Sequence, residues 1–569
     1  MKNSFKLLLV LTAAVCFAGC DNFLDQPPVG GTLTQEQYDQ LSNRLEGSMR
    51  GVYSMLYARG GSDHDVFGQR SIDMYGDLLC SDMALTDESY GWFSYDERQL
   101  TRANRSGYLW SYYYGMLRNI NMVLATIKTR SSLLSNVEKY GMPNKGLSVV
   151  DGEGKLIHHY DENDSISAVF YAEALTMRGY VYSGLVRFFV PTVDHLFKGG
   201  YNLTNYPCFP MYNEDNMNDG AQPLAMLNEV YKLIDKDLTT AIAFYDAFAQ
   251  QYEGSSKLEV DINVARGVLA YFYLNRAREF GMSSTDPLLA GPMRKALKYA
   301  DDAINAHKHE IIPNSTVLTN GFNNIQDRSW MWGQDVTVET TGGLASFQGH
   351  VDIHSYSYAW VGGTKAIDKG LYEELPSWDI RKKWFNDGKA NPTYTLCPDK
   401  KFFSAKNPTS TATDNIDREW LSDNIFMRIE LMHLIAAEAC YFLGNLDSAA
   451  MYLTNITDQR VDPEVETAAA DYATYKTSLS TDKAKFAEAL ILNWRVELWG
   501  EGYGLQTFRR LTSHLYKHKN EKTGKTEEKV RRGANHSYSP NSEISYDDET
   551  TYTMQIPASE TNYNPHLDD

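Results

Sequence analysis

The chain has 569 residues, 43% of them hydrophobic and 22% charged, with 73 acidic against 54 basic side chains and a formal net charge of -19. That composition excludes a disordered chain, since there is ample apolar surface to build a core. The acidic balance excludes a broad nucleic-acid footprint, which needs clustered Lys and Arg. Aromatic side chains are plentiful, with 38 Tyr, 23 Phe and 10 Trp, and flat rings serve both core packing and stacking on ligands.

At the N-terminus Lys2 and Lys6 precede an apolar run over 7–17, too short to span a bilayer and fitted to the apolar region of a secretory signal. The small residues Ala18 and Gly19 directly before Cys20 resemble a bacterial lipobox. Residues 1–19 are therefore expected to be a lipoprotein signal peptide, and Cys20 the lipidated first residue of the mature protein. The acyl chains would hold it at a membrane, each buried CH₂ contributing about 0.8 kcal/mol. No later apolar run approaches bilayer length, so the expectation is an anchored protein that does not cross the membrane. Cys80, Cys208, Cys397 and Cys440 are widely spaced and form no C-x-x-C zinc pattern, which leaves their disulfide state open. Cys440 falls on the apolar face of a predicted helix and reads as a buried thiol.

The first helical pattern runs over 32–57 through Tyr38, Leu41, Leu45, Met49, Val52 and Leu56, and stops at Arg59-Gly60-Gly61-Ser62, a loop signal. A loop over 87–96 then sets Tyr90, Trp92, Phe93 and Tyr95 among Asp87, Glu88 and Asp96. A sugar offers an apolar C–H face for stacking and hydroxyls for carboxylates, so Trp beside Asp suits a glycan. A satellite cluster beneath a loop accounts for the same residues equally well.

Apolar stripes predict helices over 110–128 and 168–189, separated by a polar, glycine-rich stretch, and then over 226–248, 263–280 and 294–306. The segment 313–423 breaks this rhythm. It holds Trp330-Met331-Trp332, a β-like run over 336–341, and Tyr356-Ser357-Tyr358-Ala359-Trp360.

From 424 to 463 the pattern predicts two helices folded back on one another. Ile425, Ile429, Met432, Ile435, Ala439 and Phe442 follow a helical period; Gly444 can supply the positive φ of a C-terminal cap, and Asp447 can cap a second helix over 448–457. A single final helix is expected over 483–511. One helical pair cannot bury its apolar face, so these pairs predict a tetratricopeptide-like helical-repeat scaffold, all-α dominated, with irregular loop and small β insertions. The expected organisation is one domain over 20–569, with helical pairs at about 110–189, 226–306 and 424–511 and insertions at about 60–105 and 313–423.

Catalytic signatures are missing: there is no H-E-x-x-H, no G-x-S-x-G and no phosphate loop. Gly502-Tyr503-Gly504 falls inside the last helical pattern and lacks a third glycine. His158-His159 and His307-Lys308-His309 lie in polar surroundings and read as solvated. No catalytic residue and no metal ligand is nominated, with a structural calcium ion left open.

Several motifs resemble the SusD/RagB family of Gram-negative surface lipoproteins. They are Cys20-Asp21-Asn22-Phe23-Leu24-Asp25 after the signal, Trp110-Ser111-Tyr112-Tyr113-Tyr114 with Asn119-Ile120-Asn121, and Ala172-Glu173-Ala174 through Arg178. Arg428 with Ala437-Glu438-Ala439 and Glu497-Leu498-Trp499-Gly500-Glu501-Gly502 continue the likeness, as do Ile556-Pro557, Glu560 and Asn564-Pro565. Gly504 and Thr507 stand where the family motif has Arg and Asp, so an internal ion pair is expected to be lost.

The resemblance implies a non-enzymatic glycan-binding lipoprotein at the outer-membrane surface. It would pass oligo- or polysaccharide to a SusC-like TonB-dependent transporter. Peptide or other nutrient capture by the same fold, a surface glycosidase and a repeat-protein adaptor are the alternatives. It also implies that glycan-binding residues come from the two insertions: Asp65, Trp92, Tyr95 and Asp96 from the first, and Tyr356, Tyr358 and Trp360 from the second. Arg381, in Trp378-Asp379-Ile380-Arg381, is expected to be structural.

Overall fold

The structure, a computed structural model, describes residues 41–87, 90–93, 106–248, 256–277, 283–403, 420–512, 518–519, 526–527, 529–530, 544–545 and 552–567. Among these, the helices of ten residues or more are α1 (Leu41–Met55), α2 (Gln69–Leu79), α3 (Ser106–Arg130), α4 (Glu162–Phe189), α5 (Leu227–Phe248), α6 (Ile262–Arg276), α7 (Pro287–Ile304), α8 (Ile429–Phe442), α9 (Leu446–Thr457), α10 (Ala468–Thr481) and α11 (Lys483–Glu497). From α3 onward each helix packs on the next through to α11, and α1 leans on α3. The chain is thus an all-α superhelix whose neighbours in sequence are neighbours in space. Asp side chains start several turns: Asp161 accepts from Asp164 N–H, Asp261 from Asn263 and Val264 N–H, and Asp286 from Leu288 N–H with Pro287 at the first helical position.

The 424–463 stretch departs from the two-helix expectation at its start. Asn424–Arg428 is a strand, β4, antiparallel to β2 (Trp330–Gln334), and α8 begins only at Ile429. Ile425 packs with the insertion, and Trp330 and Trp332 are fully buried. Alternation of burial on both faces is what a helical period misread here, because a strand covered on both sides is continuously apolar. The β-like run over 336–341 forms loop and turn; the strand lies just before it. Gly444 does take a positive φ of 82° after α8, while the α9 cap is Asn445, accepting from Ser448 N–H at 3.0 Å, with Asp447 in the first turn. The helix expected over 483–511 is interrupted. After α11 the chain turns at Gly500 and Gly502, with φ of 77° and 85°, and α10 precedes it as a helix the pattern did not suggest.

Three apolar clusters result among the described residues. The largest joins the helices, the second lies under the insertions, with Val496 and Trp499 of the α11 end contributing to it, and a small third gathers Trp378, Ala468 and Tyr472. A buried charge network stands beside this junction. Glu497 accepts from Arg381 at 3.0 Å, Arg428 at 2.8 Å and Arg460 at 2.7 Å, and Glu501 accepts from Arg428 at 2.9 Å and Lys401 at 2.9 Å. Arg381 is structural as expected, since Asp379 and Glu497 bracket it in the core. Where Gly504 replaces the expected Arg, the carboxylate of Asp77 accepts from Gly502 N–H at 3.2 Å and Gly504 N–H at 3.0 Å. A Cβ at Gly504 would stand 2.7 Å from that carboxylate, so the small residue is what admits it.

Some expectations about single residues change. His158 is not simply solvated: its ring stacks on Tyr140 at 4.2 Å. His309 is partly buried, and desolvation lowers its pKa. Cys80, Cys208, Cys397 and Cys440 are free buried thiols.

Glu173 of α4 carries a stability prediction. Its carboxylate accepts from the Tyr53 hydroxyl at 3.0 Å, and burial, with Glu259 adding, raises its pKa to about 8. The folded protein therefore keeps a proton that the unfolded chain has lost, and stability falls as pH rises from the ordinary carboxyl range to about 8. The slope is about 1.4 kcal/mol per pH unit for one such group. Glu173→Gln is expected to match the parent near pH 5 and to exceed it by a few kcal/mol near pH 8 (on the order of the integrated slope), read from urea midpoints across that range; parallel curves would exclude this role.

Candidate functional site

The two insertions meet through a short antiparallel pair, β1 (Met83–Leu85) with β3 (Lys365–Ile367), in which Ala84 faces Ala366. This pairing brings residues about 280 positions apart in sequence to one surface. Gly68, with a φ of 78°, turns the first insertion tightly against α1; a Cβ there would lie 2.2 Å from the Leu56 carbonyl oxygen. Asp65 then ties two parts of the loop together. It is fully buried, and its carboxylate accepts from the Tyr75 hydroxyl and from Phe93 N–H, each at 3.2 Å. Asp65 is accordingly a residue behind the surface that fixes the position of Trp92, and the expectation that it contacts ligand is corrected: an occupied, buried carboxylate presents no oxygen to a sugar.

The second loop is held by its own polar contacts. Ser357 Oγ donates to the Asp352 carbonyl at 2.6 Å and accepts from Trp360 N–H at 2.9 Å; the Tyr394 hydroxyl donates to the Trp360 carbonyl at 2.8 Å, and Trp420 Nε1–H to that of Tyr356 at 2.8 Å. Backbone anchoring of this kind leaves the rings themselves uncommitted.

Between the loops the rings form two groups, one around Tyr358 and one of Tyr356 with Trp360. Trp92 stacks on His64, with centroids 5.2 Å apart and planes at 7°, and Tyr358 meets Trp92 at 6.3 Å, Tyr90 at 5.3 Å and His350 at 4.9 Å. Tyr356 lies 5.6 Å from Trp360. Tyr90 and Tyr356 are 48% and 49% exposed and Tyr358 only 9%, while Trp92 and Trp360 are half-buried. The outer rings are therefore Tyr90, Trp92, Tyr356 and Trp360, with Tyr358 beneath them as a spacer. Tyr95 and Asp96 lie outside the described residues, as does Cys20.

Sequence reasoning missed His64, His350 and Tyr90. Tyr90 stood in the loop already singled out; the histidines carried no signal apart from two acids flanking His64. His350 Nε2 lies 2.7 Å from the His64 carbonyl oxygen, which only accepts, so Nε2 carries the proton and Nδ1 accepts from Lys365 Nζ at 3.0 Å. Burial, then Lys365, drives its pKa well below the ordinary imidazole range. His64 shares a 2.6 Å hydrogen bond with the Tyr358 hydroxyl through Nδ1, and burial followed by Arg59 lowers its pKa. Both rings are neutral at pH 7, and the cluster presents flat uncharged faces edged with polar atoms. That surface can stack on an apolar face and hydrogen-bond at its margin; among the described residues no three His, Cys, Asp or Glu come together as a metal site.

Comparison with known proteins places this arrangement. Residues 377–569 match the model of the SusD family. No curated protein sequence matches the chain. Among solved structures, a SusD superfamily protein from Bacteroides thetaiotaomicron is similar with a TM-score of 0.66 at 17% identity, covering 92% of this chain and 98% of its own. A SusD-like carbohydrate binding protein from Bacteroides vulgatus gives 0.59 at 17% identity, covering 92% and 97%, and a SusD superfamily protein from Parabacteroides distasonis 0.60 at 13%, covering 94% and 98%. The SusD family's sequence pattern is thus matched over residues 377–569, the C-terminal third, and the fold of these SusD superfamily structures extends over more than nine-tenths of the chain.

Proposed function

We propose that this chain is a surface glycan-binding lipoprotein, anchored in the outer membrane through Cys20, that captures an oligo- or polysaccharide and hands it to a SusC-like TonB-dependent transporter. The reading treats 20–569 as one domain and assigns no chemistry to it. The observation that carries it is the set of rings Tyr90, Trp92, Tyr356 and Trp360, gathered from two distant insertions and left open while the backbone of the second loop is anchored at Tyr356 and Trp360. Neutral aromatic faces with polar edges suit the C–H faces and hydroxyls of a sugar. The match to the SusD family and the likeness to a SusD-like carbohydrate binding protein support the same class of ligand. No described helix is long and apolar enough to cross a membrane, in keeping with an anchor supplied by lipid.

Calorimetric titration of the purified protein with a panel of soluble polysaccharides tests this, with the same mixtures analysed for new reducing ends. Saturable binding of at least one glycan with no product is the expected result. New reducing ends would make the protein a glycosidase, and silence across the panel with heat on adding peptides would make it a peptide-capture protein.

A further inference from the structure

A second cavity, of about 100 Å³, lies within the helical layer, walled by α4 and α6 and by the segment that follows α11. It shares no lining residue with the ring cluster. Its walls are mixed, with Tyr180, Tyr231, Phe272, Phe426 and Tyr503 supplying flat faces. Two buried polar atoms on its lining residues, Ser183 Oγ and Arg187 Nε, find no hydrogen-bond partner among the described residues, while the Tyr113 hydroxyl is turned to Gln69 and Arg187 and the Tyr271 hydroxyl to Asn275. Leaving such groups unsatisfied is costly, of the order of 1–3 kcal/mol each, so the two left over here call for an occupant.

The charges select its kind. Arg276, with its guanidinium carbon 5.2 Å from the Tyr231 ring centroid, forms no ion pair among the described residues. Of the three acids on the wall, Asp73, Asp194 and Glu501, Glu501 is engaged by Arg428 and Lys401, and Asp73 by Arg70 at 3.2 Å with Arg187 at 3.7 Å. Arg187 stays charged, its Nη1–H donating to the Gly502 carbonyl at 3.1 Å while Nε–H is left over. Donors and hydroxyls around an apolar box match an acceptor-only head on a flat body. By the volume a buried water needs, roughly 10–15 Å³, the space suits a molecule of under ten non-hydrogen atoms or a group of waters.

We infer that this cavity binds a small aromatic or flat apolar carboxylate, independently of glycan capture, with Arg187 and Arg276 facing the carboxylate and Tyr231 and Phe272 against the body. The probes are benzoate and its neutral counterpart benzamide, each titrated into the purified protein by calorimetry. Benzoate is expected to bind one site, about tenfold or more tighter than benzamide, the difference a charge-assisted hydrogen bond makes. Ser183→Leu fills the cavity without removing any hydrogen bond and is expected to abolish benzoate binding while leaving glycan titration unchanged. Arg276→Gln, on a partly exposed side chain, is expected to weaken benzoate about tenfold with benzamide unmoved, and it carries the test if the first variant does not fold. No binding of either probe, equal affinity for both, or unchanged benzoate affinity in the folded variants would overturn the inference and leave water as the occupant.

Discussion

Alanine at both Trp92 and Trp360 is expected to lower affinity for the bound glycan by at least about 100-fold. Each ring can cover on the order of 75–100 Å² of a sugar's apolar face, worth roughly 2 kcal/mol at about 25 cal/mol per Å², and the two losses together amount to some 3–4 kcal/mol. The rings lie on separate loops and make no direct contact with each other in the cluster, so the single variants should each account for about half in free energy. Both side chains are half-buried, and each loop is pinned by other bonds: Asp65 to Phe93 N–H in the first, Ser357 to Trp360 N–H in the second. The melting temperature should therefore move little, which separates a lost binding surface from a lost fold. Unchanged affinity in the folded double variant would remove this cluster as the glycan site.

Glu497→Ala is expected to be the most destabilising single change considered. The carboxylate is fully buried and meets three guanidinium groups, of Arg381, Arg428 and Arg460, which the substitution would leave facing one another without it. Removing one partner of a buried ion pair costs about 3–5 kcal/mol, because the remaining charge is still desolvated. Burial alone would raise the Glu497 pKa, but Arg460 and Arg428 outweigh it and hold the carboxyl well below its ordinary range. With the folded pKa depressed, this contribution is present above the unfolded value of 4.5 and is lost as pH falls through the folded one. The gap between parent and variant in urea midpoint should accordingly be widest near pH 7 and close in strong acid. A gap that does not change with pH would mean that packing, not charge, is what the residue supplies.

The superhelix itself was legible in the chain. Long apolar stripes over 110–128 and 168–189 fall inside α3 and α4, and that over 226–248 matches α5 to within one residue, because a helix needs only local hydrogen bonds and one buried face to declare its period. The Gly444 turn was equally readable, since few residues but glycine take a φ of 82° there. The residues of the ring cluster were also in view: Trp92, Tyr356, Tyr358 and Trp360 stand in the two segments where helical rhythm fails.

What local pattern does not carry is which of two buried-looking elements a short apolar run becomes. Asn424–Arg428 is a strand only because Trp330–Gln334 arrives beside it. Likewise the exchange of Arg for Gly504 read as a lost ion pair, when the fold brings Asp77 to the backbone there and gathers Arg381, Arg428 and Arg460 around Glu497. Asp65 shows the same limit at the site. Its type and place suggested a sugar contact, and only the packing of Tyr75 and Phe93 against it turned it into a buried anchor.

By itself, then, the sequence determined the helical scaffold, the two interruptions in it and the aromatic residues they hold, all properties that depend on neighbours within a few positions. Only the tertiary structure decided that β1 and β3 pair, that Trp92 and Tyr358 come within 6.3 Å, and which carboxylates are buried and which remain free, because burial and long-range pairing are set by chain segments hundreds of residues away.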